Sequence, residues 1–146
     1  MKPEDKPLKD IYIFHLEKAF KQFKKYKTQR LKQAGIDITS DQWILLKSIH
    51  EEEGLNQRAL AEKTFKEPAS ITRILDILEK KNWVERRSIE NNRRTYGLYM
   101  TKAGSDMVKQ ILPLAVEIRA EGTKGISPKE VDQFSRLLIK LFENFS

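Results

Sequence analysis

The chain has no cysteine, which removes disulfides, thiol redox sensing and cysteine-ligated zinc from consideration. Histidine is scarce as well, and the two present, His15 and His50, lie far apart in sequence. A zinc site would need both to converge with acidic residues such as Glu51 to Glu53; two separate surface or packing histidines are the simpler expectation, so no metal site is assigned. There is no glycine-rich phosphate loop and no Ser-His-Asp arrangement, so nothing supports an enzyme, and no cofactor is expected. No apolar run approaches the roughly 20 residues of a membrane span. The first ten residues, MKPEDKPLKD, are too polar for a signal peptide. The expectation is a soluble, cytoplasmic protein with no membrane partner.

What the chain does have is positive charge. Its 146 residues, enough for one domain with helical arms, carry 28 Lys and Arg against 21 Asp and Glu, a net charge of +7. The excess is unevenly spread. Residues 1–40 hold ten basic and five acidic side chains, 55–102 hold eleven and six, and 103–146 hold six of each. A polyanion is therefore expected to meet the middle of the chain, flanked by the N-terminus.

The spacing predicts a helix from Leu8 to about Ala34, roughly 40 Å long, with Leu8, Tyr12, Leu16, Ala19, Phe20, Phe23, Tyr26 and Leu31 recurring at helical intervals. Thr39 and Gln42 form a capping box for a helix to about Glu53, whose expected apolar face is Trp43, Ile44, Leu46 and Ile49. Asn56 caps a short helix through Lys63. Pro68 then suits the first position of another, running to about Lys81 with Ile71, Ile74, Leu75 and Leu78 inward. Two short helices on a tight connector make a helix-turn-helix candidate. Val84 to Ser88 and Thr95 to Thr101 alternate as strands around a turn at Glu90-Asn91-Asn92. A hairpin directly after the second helix is the arrangement of a winged helix-turn-helix. Thr101 is expected to cap a helix to about Glu121, kinked at Pro113. Ser127, Pro128 and Glu130 start a last helix whose apolar face, Val131, Phe134, Leu137, Leu138, Leu141, Phe142 and Phe145, has little chain left to cover it. The first and last helices are therefore expected to pack on a second copy.

The run LNQRALAEKTFKEPASITRILDILEKKNWVERRSIENNRRTYGLYMTKAG, Leu55 to Gly104, resembles the multiple-antibiotic-resistance regulator (MarR) family of bacterial winged-helix repressors. Leu60-Ala61-Glu62, Ile71-Thr72-Arg73, Leu78-Glu79, Val84-Glu85-Arg86-Arg87, Arg93-Arg94 and Thr101-Lys102-Ala103-Gly104 carry the likeness without a gap, and ITSDQWILL from Ile38 resembles the family's lead-in helix. Phe65 departs from it, standing where the inter-helix turn usually carries glycine. Glu67 and Ala69 replace a common Asp and Ser, and Ile89 and Asn92 stand where acidic residues are frequent at the wing tip.

The fold expected is mostly α, a winged helix-turn-helix with a small antiparallel β wing and long N- and C-terminal dimerisation helices. Residues 1–35 form the first dimerisation helix, 36–101 the DNA-binding domain and 102–146 the C-terminal dimerisation helices. With Ile71, Ile74, Leu75 and Leu78 inward, Ala69, Ser70, Thr72, Arg73 and Asp76 face outward. Arg73 then suits guanine edges in the major groove, and Ser70 or Thr72 suits bases or phosphate. Of Arg86, Arg87, Arg93 and Arg94, one member of each pair can face DNA, and a tip arginine suits the minor groove; the resemblance favours Arg93. It also implies a pocket for a small aromatic or anionic effector, for which Tyr12, Phe20, Phe23, Tyr26 and Trp43 are candidates. The function expected is a transcriptional regulator, a repressor by resemblance, binding double-stranded pseudo-palindromic DNA as a homodimer. The alternative is a winged-helix protein-interaction module without specific DNA binding.

Overall fold

A computed structural model describes residues 4–89 and 92–146, with the backbone alone at 92–94. A single 3-10 turn, Leu8–Asp10, precedes helix α1, Tyr12–Gln33. The helix predicted from Leu8 is thus broken at Ile11, which is extended. His15 explains the break, because its ring Nε2 lies 2.5 Å from the Lys9 carbonyl and satisfies it from the side chain.

Helix α2, Ser40–Glu51, opens on the expected capping box: Thr39 Oγ1 accepts from the Gln42 amide at 3.1 Å and Gln42 Oε1 from the Thr39 amide at 3.2 Å. It stops short of Glu53 because the following backbone is claimed elsewhere. The Gly54 amide donates to the Leu98 carbonyl at 2.8 Å, and the Leu98 amide to the Leu55 carbonyl at 2.9 Å. That pairing requires φ +92° at Gly54, a conformation that glycine adopts at little cost.

Helices α3, Gln57–Thr64, and α4, Pro68–Lys80, form the helix-turn-helix. Asn56 caps the first, accepting from the Ala59 amide at 2.8 Å. Phe65 ends it in the left-handed region, φ 53° and ψ 49°, which costs a non-glycine residue about 1–2 kcal/mol. Its ring is not idle: it meets Phe142 edge-on with centroids 5.1 Å apart.

Strands β1, Val84–Ile89, and β2, Asn92–Met100, pair antiparallel with Val84 opposite Met100 and Arg86 opposite Leu98. β2 begins earlier than predicted, so Asn92 is strand, while Glu90 and Asn91 of the predicted turn lie outside the described residues. Helix α5, Lys102–Gly122, runs unbroken through Pro113, and α6, Pro128–Asn144, opens on a second capping box between Ser127 and Glu130.

The core gathers Leu45, Leu46, Ile49, Leu60, Ile71, Leu75, Leu78, Leu98, Val108 and Ile111. The predicted α2 face needs one correction: Leu45 is fully buried and Ile44 is 37 % exposed. A single stripe does not suffice for a helix packed by α3, α4, α5 and β2 together. Among the described residues none of helix α6 is fully buried, and Phe134, Leu137, Phe142 and Phe145 are each more than half exposed.

Helix α4, the wing and α5 meet at one junction. Asn82 turns left-handed after α4, φ 59°, and the Trp83 amide reaches back to the Leu78 carbonyl at 3.0 Å. Thr101 then binds both residues, its amide donating to the Trp83 carbonyl at 3.1 Å and its hydroxyl to the Asn82 carbonyl at 2.6 Å. The same hydroxyl accepts from the Gly104 amide at 3.0 Å. Gly104 sits so close that a Cβ would overlap the Trp83 carbonyl oxygen. Gly104→Ala is therefore expected to cost about 2–3 kcal/mol in urea denaturation, in the range of overpacked cores. Gly122→Ala, at a position with nothing within 4 Å, should leave stability unchanged or raise it by up to about 1 kcal/mol.

Lys27 of α1 is 6 % exposed. Its ammonium donates to Ser40 Oγ at 3.3 Å and stands 5.7 Å from the Phe23 ring centroid. Burial pushes its pKa down from 10.5 to about 8; the Asp41 carboxylate opposes this and Arg119 adds to it. Between those two values the unfolded chain binds the proton and the folded chain does not, so stability rises with pH across that window. Below it, the folded state carries the whole penalty, about 3 kcal/mol at 1.36 kcal/mol per pH unit. Lys27→Met should raise stability at pH 7 by up to that amount and remove the rise between pH 8 and 10.5, both read by denaturation at pH 7 and pH 10.

Candidate nucleic-acid interface

Helix α4 turns Ile71, Leu75 and Leu78 into the core and leaves Ala69, Thr72, Arg73 and Asp76 exposed, with Ser70 half-buried. The polar residues predicted to face outward therefore share the first half of one helix face. No side chain caps this helix, so its first-turn amides and the positive end of its dipole add to the charge of Arg73.

Thr72 is held on two sides. Its hydroxyl donates to the Pro68 carbonyl at 3.2 Å, and it accepts from Gln57 Nε2 at 3.2 Å. Gln57 was not among the residues singled out from the sequence; the available signal was its place at the first position of α3, directly after the Asn56 cap. A groove of about 620 Å³ runs between the two helices, lined by Gln57, Arg58, Phe65, Glu67 and Thr72 among others. Lys66 also lines it and bonds Asp41 at 2.7 Å.

The wing arginines separate by strand parity. Arg86, opposite Leu98, turns toward α4, and its guanidinium lies 2.8 Å from Glu79 and 3.5 Å from Asp76. Arg87 points the other way. It donates through Nε to Glu85 at 2.7 Å and stacks 4.5 Å over the Tyr99 ring, with more than half of its side chain in solvent. Gly97, opposite Arg87, leaves the close backbone approach to Gly54 open; a Cβ there would stand 2.9 Å from the Gly54 carbonyl oxygen. Arg93 and Arg94 belong to β2 by backbone, and their side chains lie outside the described residues.

The five aromatic candidates for an effector pocket do not share one cavity. Tyr12 lines an apolar groove of about 630 Å³ between α1 and α6, beside Leu16, Leu137 and Leu141. Phe23 lines a second, of about 620 Å³, with Ile118, Arg119, Ile126 and Val131. Phe20 stacks on Phe23 at 6.4 Å between centroids, Tyr26 is half-buried, and Trp43 belongs to the core. His15 lines the first groove, and among the described residues no group of three or more His, Asp or Glu comes together in a metal-binding arrangement. Nor is any described helix long and apolar enough to cross a membrane.

Residues 38–96 match the sequence model of the MarR family. Among solved structures, the Staphylococcus aureus MepR–DNA complex superposes with a TM-score of 0.85 at 21 % identity, covering 93 % of this chain and 99 % of that one. A MarR variant from E. coli complexed with operator DNA gives 0.81 at 24 % identity, covering 94 % and 99 %. Wild-type E. coli MarR in its apo form gives 0.71 at 26 % identity, covering 94 % and 98 %. The MarR family's model thus covers the helix-turn-helix and most of the wing, and the chain shares its fold with solved MarR structures along nearly its whole length.

Proposed function

We propose that the chain is a repressor that binds pseudo-palindromic duplex DNA as a homodimer, residues 36–101 reading the site and residues 1–35 and 102–146 joining the two copies. One observation carries this reading: Thr72 and Arg73 stand exposed on the first half of a helix whose opposite face is core, the half that enters a major groove in helix-turn-helix proteins. The greater likeness to the operator-bound form of MarR than to its apo form also supports it. The unfilled apolar face of α6 supports the second copy. Ser70, Arg87 and the tip arginines Arg93 and Arg94 extend the contact to backbone and minor groove, while Arg86, committed to Asp76 and Glu79, positions the wing against α4.

The same reading includes release by a small aromatic anion. The Phe23 cleft suits one, with Ile118, Ile126 and Val131 as walls and the Arg119 guanidinium beside them. Such a ligand acts only by preferring a dimer geometry that fits DNA poorly.

Charge reversal tests the reading directly. Arg73→Glu and Arg93→Glu should each weaken binding to a duplex selected from random sequence by roughly a hundredfold or more, since each removes a contact from both half-sites at about 1–3 kcal/mol apiece. Fluorescence anisotropy reads the affinity and sedimentation the assembly, which should stay dimeric. Unchanged affinity in both variants would favour a protein-interaction module instead.

A further inference from the structure

The Thr72 hydroxyl already has its partners. A hydroxyl has one proton to donate, and that of Thr72 goes to the Pro68 carbonyl one turn earlier, while the oxygen accepts from Gln57 across the helix-turn-helix. No proton remains for a phosphate oxygen or for the acceptor edge of a guanine. The bond to Pro68 favours one χ1, because a helical threonine chooses between two rotamers according to whether its oxygen bonds the preceding turn, and the bond from Gln57 holds the side chain there. Oxygen and methyl are thereby both placed: the oxygen keeps one lone pair, which can only accept, and the methyl group is the part of this exposed side chain without a partner. In the major groove the complementary apolar feature is the 5-methyl of thymine.

We infer that Thr72 reads a thymine through its methyl group, and that Gln57 is a positioning residue that holds the Thr72 hydroxyl turned away from the bases. The inference rests on the DNA-binding reading above and makes it more specific. It places an apolar contact next to Arg73, so the half-site should contain a thymine near the guanine read by that arginine.

The experiment begins with selection of a duplex from random sequence, followed by replacement of each thymine by uracil, which differs only in lacking the 5-methyl. One thymine per half-site should prove sensitive, with binding weakened about four-fold for one half-site and about fifteen-fold for both, the ordinary effect of one buried methyl at each. Thr72→Val, which keeps a methyl and loses the hydroxyl, should retain affinity and the uracil penalty. Thr72→Ser, which keeps the hydroxyl, should bind thymine and uracil duplexes equally. Gln57→Ala should move the thymine-to-uracil ratio toward one with the salt dependence unchanged, an effect that loss of helix packing alone would not produce. A tenfold loss in Thr72→Val, or a uracil penalty that persists in Thr72→Ser, would overturn the inference while leaving DNA binding intact. Failure to enrich any sequence would instead remove the DNA-binding reading, and this inference with it.

Discussion

The reading head depends on the junction of Asn82, Trp83, Thr101 and Gly104. Thr101 bonds the backbone just past the end of α4, opens α5 as its cap and follows the last residue of β2. Without the space that Gly104 leaves by having no Cβ, α5 could not approach Trp83. Since α5 also packs on α1, this junction connects the long helices to α4 through backbone hydrogen bonds as well as through the shared core.

Around that junction the wing is tied to the same helix a second time. Arg86 reaches two carboxylates of α4, and the Gly54–Leu55 segment adds backbone bonds along β2. Helix-turn-helix and wing thereby form one lobe. Phe65 adds a further link, since its left-handed backbone presents the ring to Phe142 of α6 and so joins the helix-turn-helix connector to the C-terminal helix. Phe134, Leu137 and Phe145 on that helix stay more than half exposed among the described residues, and they are the surface on which the proposed second copy would gain most.

Local signals were the most legible in the sequence. The capping boxes at Thr39 and Ser127, the Asn56 cap and the proline at the start of α4 all sit where spacing places them, because each is settled within four residues. What depended on distant partners was not legible. The end of α2 is set by Leu98, more than forty residues away, and the break at Ile11 by a histidine ring bonding a carbonyl six residues earlier. Leu45 is buried because α2 has neighbours on several sides, which periodicity cannot count. At the interface, the outward position of Arg73 followed from helical spacing. The division between Arg86 and Arg87 needed the strand register, and the part played by Gln57 needed the packing of one helix on the other.

In the proposed dimer the long helices hold two such lobes at a fixed separation. Recognition helices that enter successive major grooves on one face of DNA lie about 34 Å, or 10–10.5 base pairs, apart. The most direct test is affinity for a selected duplex as its half-sites are moved apart one base pair at a time. A sharp maximum is expected at one spacing near a helical turn, with two chains per duplex there and loss of specific binding when the half-sites are displaced by half a turn. Equal affinity at every spacing, or full affinity of a single chain for an isolated half-site, would contradict it.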